Sequence, residues 1–219
     1  MMHLKDERGF TLVELLVASL CTTIVLGGAV AITTQLQNSY RKQLEDSVGE
    51  QEARYALEWI GRYLRSVGNN PLSATTSECP TAGTTFVALT PDPNGDSNND
   101  DIALQSDVNP PDKMIGGSTA SGCTQKNENV KISLNTTLHE VQFQDIGANT
   151  SSTTRTDAVI DNLQFSYLKS DGTPWVVADG LGNIYYVVTT ITIRTRTLNA
   201  ASGTANTRSL MSTVRVRGR

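Results

Sequence analysis

The side chains able to do chemistry in this 219-residue chain are few and scattered. Two histidines, His3 and His139, leave little material for a metal cluster or a histidine-dependent catalytic centre. His139 has no readable Cys or Asp constellation around it. Gly180-x-Gly182 precedes a strand-like run rather than a helix, so it is no phosphate loop. Tyr55, Trp59 and Tyr63 recur every fourth residue, which reads as packing rather than a nucleotide platform. The densest run of oxygens is Asp92, Asn94, Asp96, Asn98 and Asp100, spaced by two ahead of a strand-like segment. A hard cation such as Ca²⁺ gathers several oxygens from one tight loop, and this spacing offers them. Against that, Ala103 stands where an EF-hand would carry its bidentate Glu, and the glycine falls at the wrong step. An acidic turn is the alternative. No set of residues reads as a catalytic site, so an enzyme is not expected.

Composition agrees. Apolar residues make up 38%, charged residues 18%, and the formal net charge is −4. Collagen-like, coiled-coil and highly charged disordered chains do not have this balance. Nor does the charge suggest a general nucleic-acid binder. Locally, Arg194 with Arg196 and Arg215 with Arg217 project from one face of two strand-like runs. If those runs pair, they form a basic stripe that like charge disfavours without acidic neighbours. A solvated sheet face, a subunit contact and a DNA-backbone contact are its three readings.

The elements that must position these residues divide the chain sharply. From Phe10 to Ile32 the sequence is apolar, with Glu14 as its one charge. As a helix it would span about 34 Å, against a hydrocarbon core of about 30 Å. This length exceeds the core of a cleaved secretory signal, and no A-x-A site is found after it. A membrane helix is predicted, with Gly27-Gly28 as its weakest point. Lys5 and Arg8 lie ahead of it and favour a cytoplasmic N-terminus, with the rest exported. Glu14 stands out, because a carboxylate in a membrane helix costs about 2.5–3.5 kcal/mol and calls for a partner.

Helical periodicity continues past the membrane through Leu36, Tyr40, Leu44 and Val48, then Ala53, Ala56, Leu57, Ile60, Leu64 and Val67. Glu50–Arg54 and Glu58–Arg62 are favourable i,i+4 pairs for the solvent side. Gly68 and Pro71 supply the stop. The whole stripe is expected to dock on the C-terminal part of the chain. Beyond Asn70 come short strand-like runs: 85–89, 102–108, 130–134, 139–145, 159–168, 175–178, 184–197 and 209–217. An antiparallel sheet packed on the helix is expected, an α+β fold. Polar loops fill 109–129 and 147–157. Cys79 and Cys123 fall in the loop-rich exported part, where an oxidising compartment permits a disulfide worth about 4 kcal/mol, two free thiols being the alternative. Cys21, in the apolar helix, reads as a small packing residue.

Gly9-Phe10-Thr11-Leu12-Val13-Glu14 ahead of an apolar helix resembles the class III signal of type IV prepilins. That resemblance implies cleavage between Gly9 and Phe10 by a membrane prepilin peptidase, N-methylation of Phe10, and an assembly role for Glu14. It divides the chain into a leader (1–9), a membrane and assembly helix (10–33), an amphipathic spine (34–68) and an exported β-rich domain (69–219). "IDNLQFSYLKSDGTPW", "VVTTITIRTRT", "RSLMSTVRVRGR" and the helix segment "EARYALEWIGRYLRSVG" resemble the PilW family of minor pilins. J-type pseudopilins of type II secretion share much of this pattern. The implied function is structural: a minor pilin in a priming complex at the tip of a type IV pilus used for twitching and adhesion. A J-type pseudopilin or a DNA-uptake pilus component is the alternative. Implied partners are the peptidase, other minor pilins, the major pilin, the inner-membrane assembly platform and a tip adhesin. The implied location is the inner membrane before assembly and the cell surface after it. No cofactor is implied beyond the Ca²⁺ reading of the acidic loop, and nucleic acid is not expected as a partner.

Overall fold

A computed structural model describes residues 10–148, 150–198 and 205–216. A single helix, α1 (Leu12–Ser66), opens it, 55 residues without a break. Gly27-Gly28 leaves the helix continuous. Strands β1 (Thr76–Ser77) to β10 (Ala205–Arg215) come after it. The chain divides within α1 into two compact units, Met1–Glu45 and Asp46–Arg219. The boundary falls between the expected limits at residues 33 and 68 because packing on α1 begins near Gly49.

In the second unit, α1 buries Gly49, Ala53, Ala56, Ile60, Leu64 and the adjoining Val67. Their spacing is that of one face of a 3.6-residue helix. Gly49, Ala53 and Ala56 are small, so the backbone approaches the sheet closely: a Cβ on Gly49 would stand 3.5 Å from Ile193 Cδ1. Further along, Trp59 and Tyr63 meet Phe143 with ring centroids 6.2 and 5.1 Å apart. Leu36, Tyr40 and Leu44 are exposed, as is Val48 at 43%. The expected docked stripe therefore starts at Gly49, between three and four turns later than its sequence pattern at Leu36.

Three antiparallel sheets make up the β part. β1 and β2 (Thr84–Thr85) form a two-residue ladder. The five-stranded sheet runs in sequence order: β3 (Leu89–Pro91), β4 (Asp101–Gln105), β5 (Asn129–Asn135), β6 (Glu140–Asp145) and β7 (Thr153–Thr154). The third has the order β10, β9 (Tyr186–Leu198), β8 (Ile160–Leu168). Inward residues alternate as the pleat requires: Ile160, Leu163, Phe165 and Tyr167 on β8, after an irregularity near Ile160; Val187, Thr189, Ile191 and Ile193 on β9. These side chains share one core with α1 and with Ile102, Leu104, Ile132, Val141 and Phe143 of the five-stranded sheet.

Two expected strands are not found as such: 85–89 is strand only at its ends, in β2 and β3, and 175–178 is absent. Residues 175–178 lead instead into a 3₁₀ turn, Val177–Asp179. Trp175 Nε1 donates to the Gly180 carbonyl at 2.9 Å, and the Asp179 carboxylate accepts from Val176 N at 3.0 Å. These local bonds fold the segment back, and the second takes a main-chain donor, Val176 N, that a ladder would need. Two short strands, β1 and β7, fall in stretches whose polarity reads as loop.

Candidate functional site

At the start of α1, Thr11 and Glu14 form a reciprocal cap. Glu14 N donates to Thr11 Oγ1 at 3.2 Å, while Thr11 N and Oγ1 each donate to Glu14 Oε2 at 3.0 Å. This is a capping box, with Thr11 at the N-cap and Glu14 three positions on. The signal was legible as T-x-x-E, and the carboxylate is less isolated than its apolar neighbours suggest. Hydroxyls along the apolar stretch are also satisfied internally. Ser19, Thr22, Thr23, Thr33 and Thr34 donate to main-chain carbonyls three or four residues back at 2.7–2.8 Å. A helix entering hydrocarbon requires that, since no water is present to take those protons. Phe10 is 89% exposed, and the large apolar side chains of the stretch are exposed with it. Gly9 lies outside the described residues. Cys21 is a free, exposed thiol.

Cys79 and Cys123 are joined in a disulfide, with Cα atoms 5.5 Å apart. The bridge sits in a frame of buried carboxylates that capture main-chain amides. Glu128, wholly buried, accepts from Val108 N (3.1 Å) and Asn109 N (2.7 Å) through Oε1, and from Gly116 N (2.9 Å) through Oε2. Asp107, also wholly buried, accepts from Asp112 N and Lys113 N at 2.9 and 3.0 Å. Asp145 holds Asn127 N at 2.7 Å and Ala148 N at 3.1 Å. Burial holds the Glu128 carboxyl above the usual carboxylate range, although its three amide bonds pull the other way. Gly116 has φ +81°, and a Cβ there would stand 2.7 Å from both Cys79 Cβ and Gly147 Cα. Only glycine permits that approach. These carboxylates escaped sequence reasoning because their partners are backbone amides up to 20 residues away.

The acidic loop is closed on itself. Asp92 Oδ1 accepts from Gly95 N and Asp96 N at 3.0 and 3.2 Å, and its Oδ2 accepts from Ser97 N at 2.9 Å. Asp96 Oδ1 accepts from Asn98 N at 2.8 Å, and Asn94 Nδ2 donates to Asp96 Oδ2 at 3.0 Å. Lys131, on β5, brings its ammonium 2.8 Å from the buried carboxylate of Asp101. Burial first, then the charges of Asp96 and Asp101, raise Asp100 above its ordinary value. Among the described residues, no three His, Cys, Asp or Glu side chains converge as metal ligands. The oxygens of Asp92, Asn94 and Asp96 thus brace an acidic turn, with an internal ammonium beside it. The arrangement does not support the Ca²⁺ expectation for Asp92, Asn94, Asp96, Asn98 and Asp100.

The basic stripe is also broken up. β9 and β10 do pair, but the antiparallel register sets Arg194 opposite Thr207 and Arg215 opposite Tyr186. The two arginines therefore stand at opposite ends of the ladder. Arg194 binds the Asp161 carboxylate, and Arg208 reaches Glu50 at 3.3 Å. The Arg196 side chain and Arg217 lie outside the described residues.

The comparisons bear on the N-terminal end alone. No curated protein and no solved structure matches the chain. Residues 4–30 match the family described as "Prokaryotic N-terminal methylation motif". With that motif, a membrane-anchor-like apolar helix and an α+β architecture, the chain is pilin-like, and its motif implies processing by a prepilin peptidase in a pilus or pseudopilus context.

Proposed function

We propose that this chain is a minor pilin of a type IV pilus, with a structural rather than an enzymatic role. It is cut after Gly9, methylated on Phe10, and joins other minor pilins in the complex that primes the fibre and remains at its tip. Before assembly it is held in the inner membrane with its domain exported; afterwards it lies on the cell surface. Its neighbours are the other minor pilins and the major pilin, and the assembly platform inserts it. A tip adhesin is a further partner. One observation carries this reading: a helix whose first half exposes its apolar side chains around a single carboxylate, and whose second half is built into a domain core. The exposed half needs partners once it leaves the lipid, and other helices of the same kind can supply them.

A J-type pseudopilin of type II secretion shares the same N-terminal signal and is the competing reading. A clean deletion separates the two. Loss of surface pili and twitching with exoprotein secretion intact supports the minor pilin. Loss of secretion with pili intact overturns it, and loss of transformation alone points to DNA uptake.

A further inference from the structure

Sheet edges expose unpaired N–H and C=O groups, and natural proteins shorten or cover them. Most edges here obey that rule. β3 has three residues and ends in Pro91, and β7 has two. The outer side of β8 is held by other segments: Phe165 N donates to Asn99 O at 2.7 Å, Ile160 N to His139 O at 3.0 Å, and Trp175 N to Tyr167 O at 2.9 Å. β10 is different. It runs for 11 residues, pairs with β9 on one side, and has no described strand on the other.

The charge along this edge is one-sided. Between Ala205 and Arg215 there is no acidic residue and no proline. Beside β10 lies a groove of about 420 Å³, lined by Arg54, Leu57, Glu58, Arg65, Leu210 and Met211. Glu50 binds both Arg54 (2.6 Å) and Arg208 (3.3 Å). Among the described residues, Arg65 and Arg215 have no carboxylate within ion-pair distance. They stand at the same end of the edge, since Arg65 Nη2 and Val214 Cγ2 lie 3.6 and 3.7 Å from where a Gly61 Cβ would sit. Met211 is 70% exposed at the groove's margin. A second copy pairing β10 to β10 would bring two arginine-bearing edges together, with only Glu50, already bound to Arg54 and Arg208, and Glu58 as acids beside each.

We propose that the free edge of β10 receives an extended, acid-bearing strand from a neighbouring subunit. Its main chain extends the sheet, its carboxylates meet Arg65 and Arg215, and an apolar side chain enters the groove between Leu57, Leu210 and Met211. Main-chain bonds supply affinity in this mode, while charge and pocket supply selectivity. The inference rests on the assembly reading above, but its test does not use a fibre.

The full chain in detergent micelles is titrated with three labelled seven-residue peptides: alternating Glu and Val, alternating Lys and Val, and the Glu peptide N-methylated on alternate amides. Anisotropy reads binding, and hydrogen exchange reads residues 207–215. The Glu peptide should bind and slow β10 exchange at least tenfold, whereas the Lys and N-methylated peptides should do neither. The double change Arg65→Glu with Arg215→Glu should weaken binding at least tenfold. Equal binding of the Lys or N-methylated peptide, or unchanged exchange in β10, overturns the proposal whether or not the double variant folds. Either result leaves untouched the deletion phenotype on which the assembly reading stands or falls.

Discussion

A carboxylate three residues into an apolar helix is costly in lipid, and Thr11 offsets part of that cost before any partner arrives. Two roles of Glu14 can therefore be separated. Glu14→Gln retains a side chain able to close the capping box but removes the charge. Glu14→Leu removes both, and the lost cap costs about 1 kcal/mol at the helix start. Both variants should insert and be cleaved. If the charge docks a neighbour's N-terminal amine at a set axial offset, both are missing from sheared pili. Gln-variant protein recovered at wild-type level, with Leu-variant protein lost, would assign Glu14 to capping alone. Glu128 gives a second prediction at this scale. Its folded-state proton affinity is raised, so its contribution to stability is fully present below its ordinary value and is lost as the pH rises through the folded value. In Glu128→Gln an amide N–H would face the Gly116 N–H, a loss of about 1–3 kcal/mol. Thermal melts of the two chains should show the wild-type advantage growing as the pH falls toward the ordinary carboxylate range. An advantage that shrinks on acidification would mean that the three amides outweigh burial.

Within α1 one apolar periodicity serves two environments. Ile60 is wholly buried against both sheets' shared core, whereas Leu44 is 55% exposed. Ile60→Ala should therefore lower the domain's unfolding free energy by about 2–5 kcal/mol. Leu44→Ala, within the same stripe, should leave the melt within about 0.5 kcal/mol of wild type. Urea denaturation monitored by Trp59 fluorescence checks both. Equal losses would mean that packing extends further toward the N-terminus than the burial pattern indicates.

For the whole molecule, the disulfide closes the stretch between Cys79 and Cys123, 44 positions apart. Cross-linking a loop of that size stabilises by about 4 kcal/mol in the chain-entropy account. Reduction, or Cys79→Ala with Cys123→Ala, should lower the denaturation midpoint accordingly. Mass spectrometry of the non-reduced chain should show the two peptides linked. Alkylatable thiols at both positions would end this account.

Several features were legible from the order of residues alone. The helix is one, because apolar residues at a 3.6-residue period, closed by Gly68 and Pro71, leave the backbone few other choices. The N-terminal motif is another, being a short contiguous string whose chemistry needs no partner from elsewhere in the chain. Most strands were also legible by their alternation, and the cysteine pairing by having two thiols in one compartment. Tertiary structure decided the rest. It placed Arg194 and Arg215 at opposite ends of a ladder, because register depends on which strands meet. It turned the acidic run onto its own amides with Lys131 alongside, because spacing counts oxygens without saying where they point. It divided a uniform apolar stripe into buried and exposed parts, because a periodic face records that something covers it without identifying the cover. The edge of β10 was likewise decided there, since a strand's neighbours are a property of the sheet and not of its own residues.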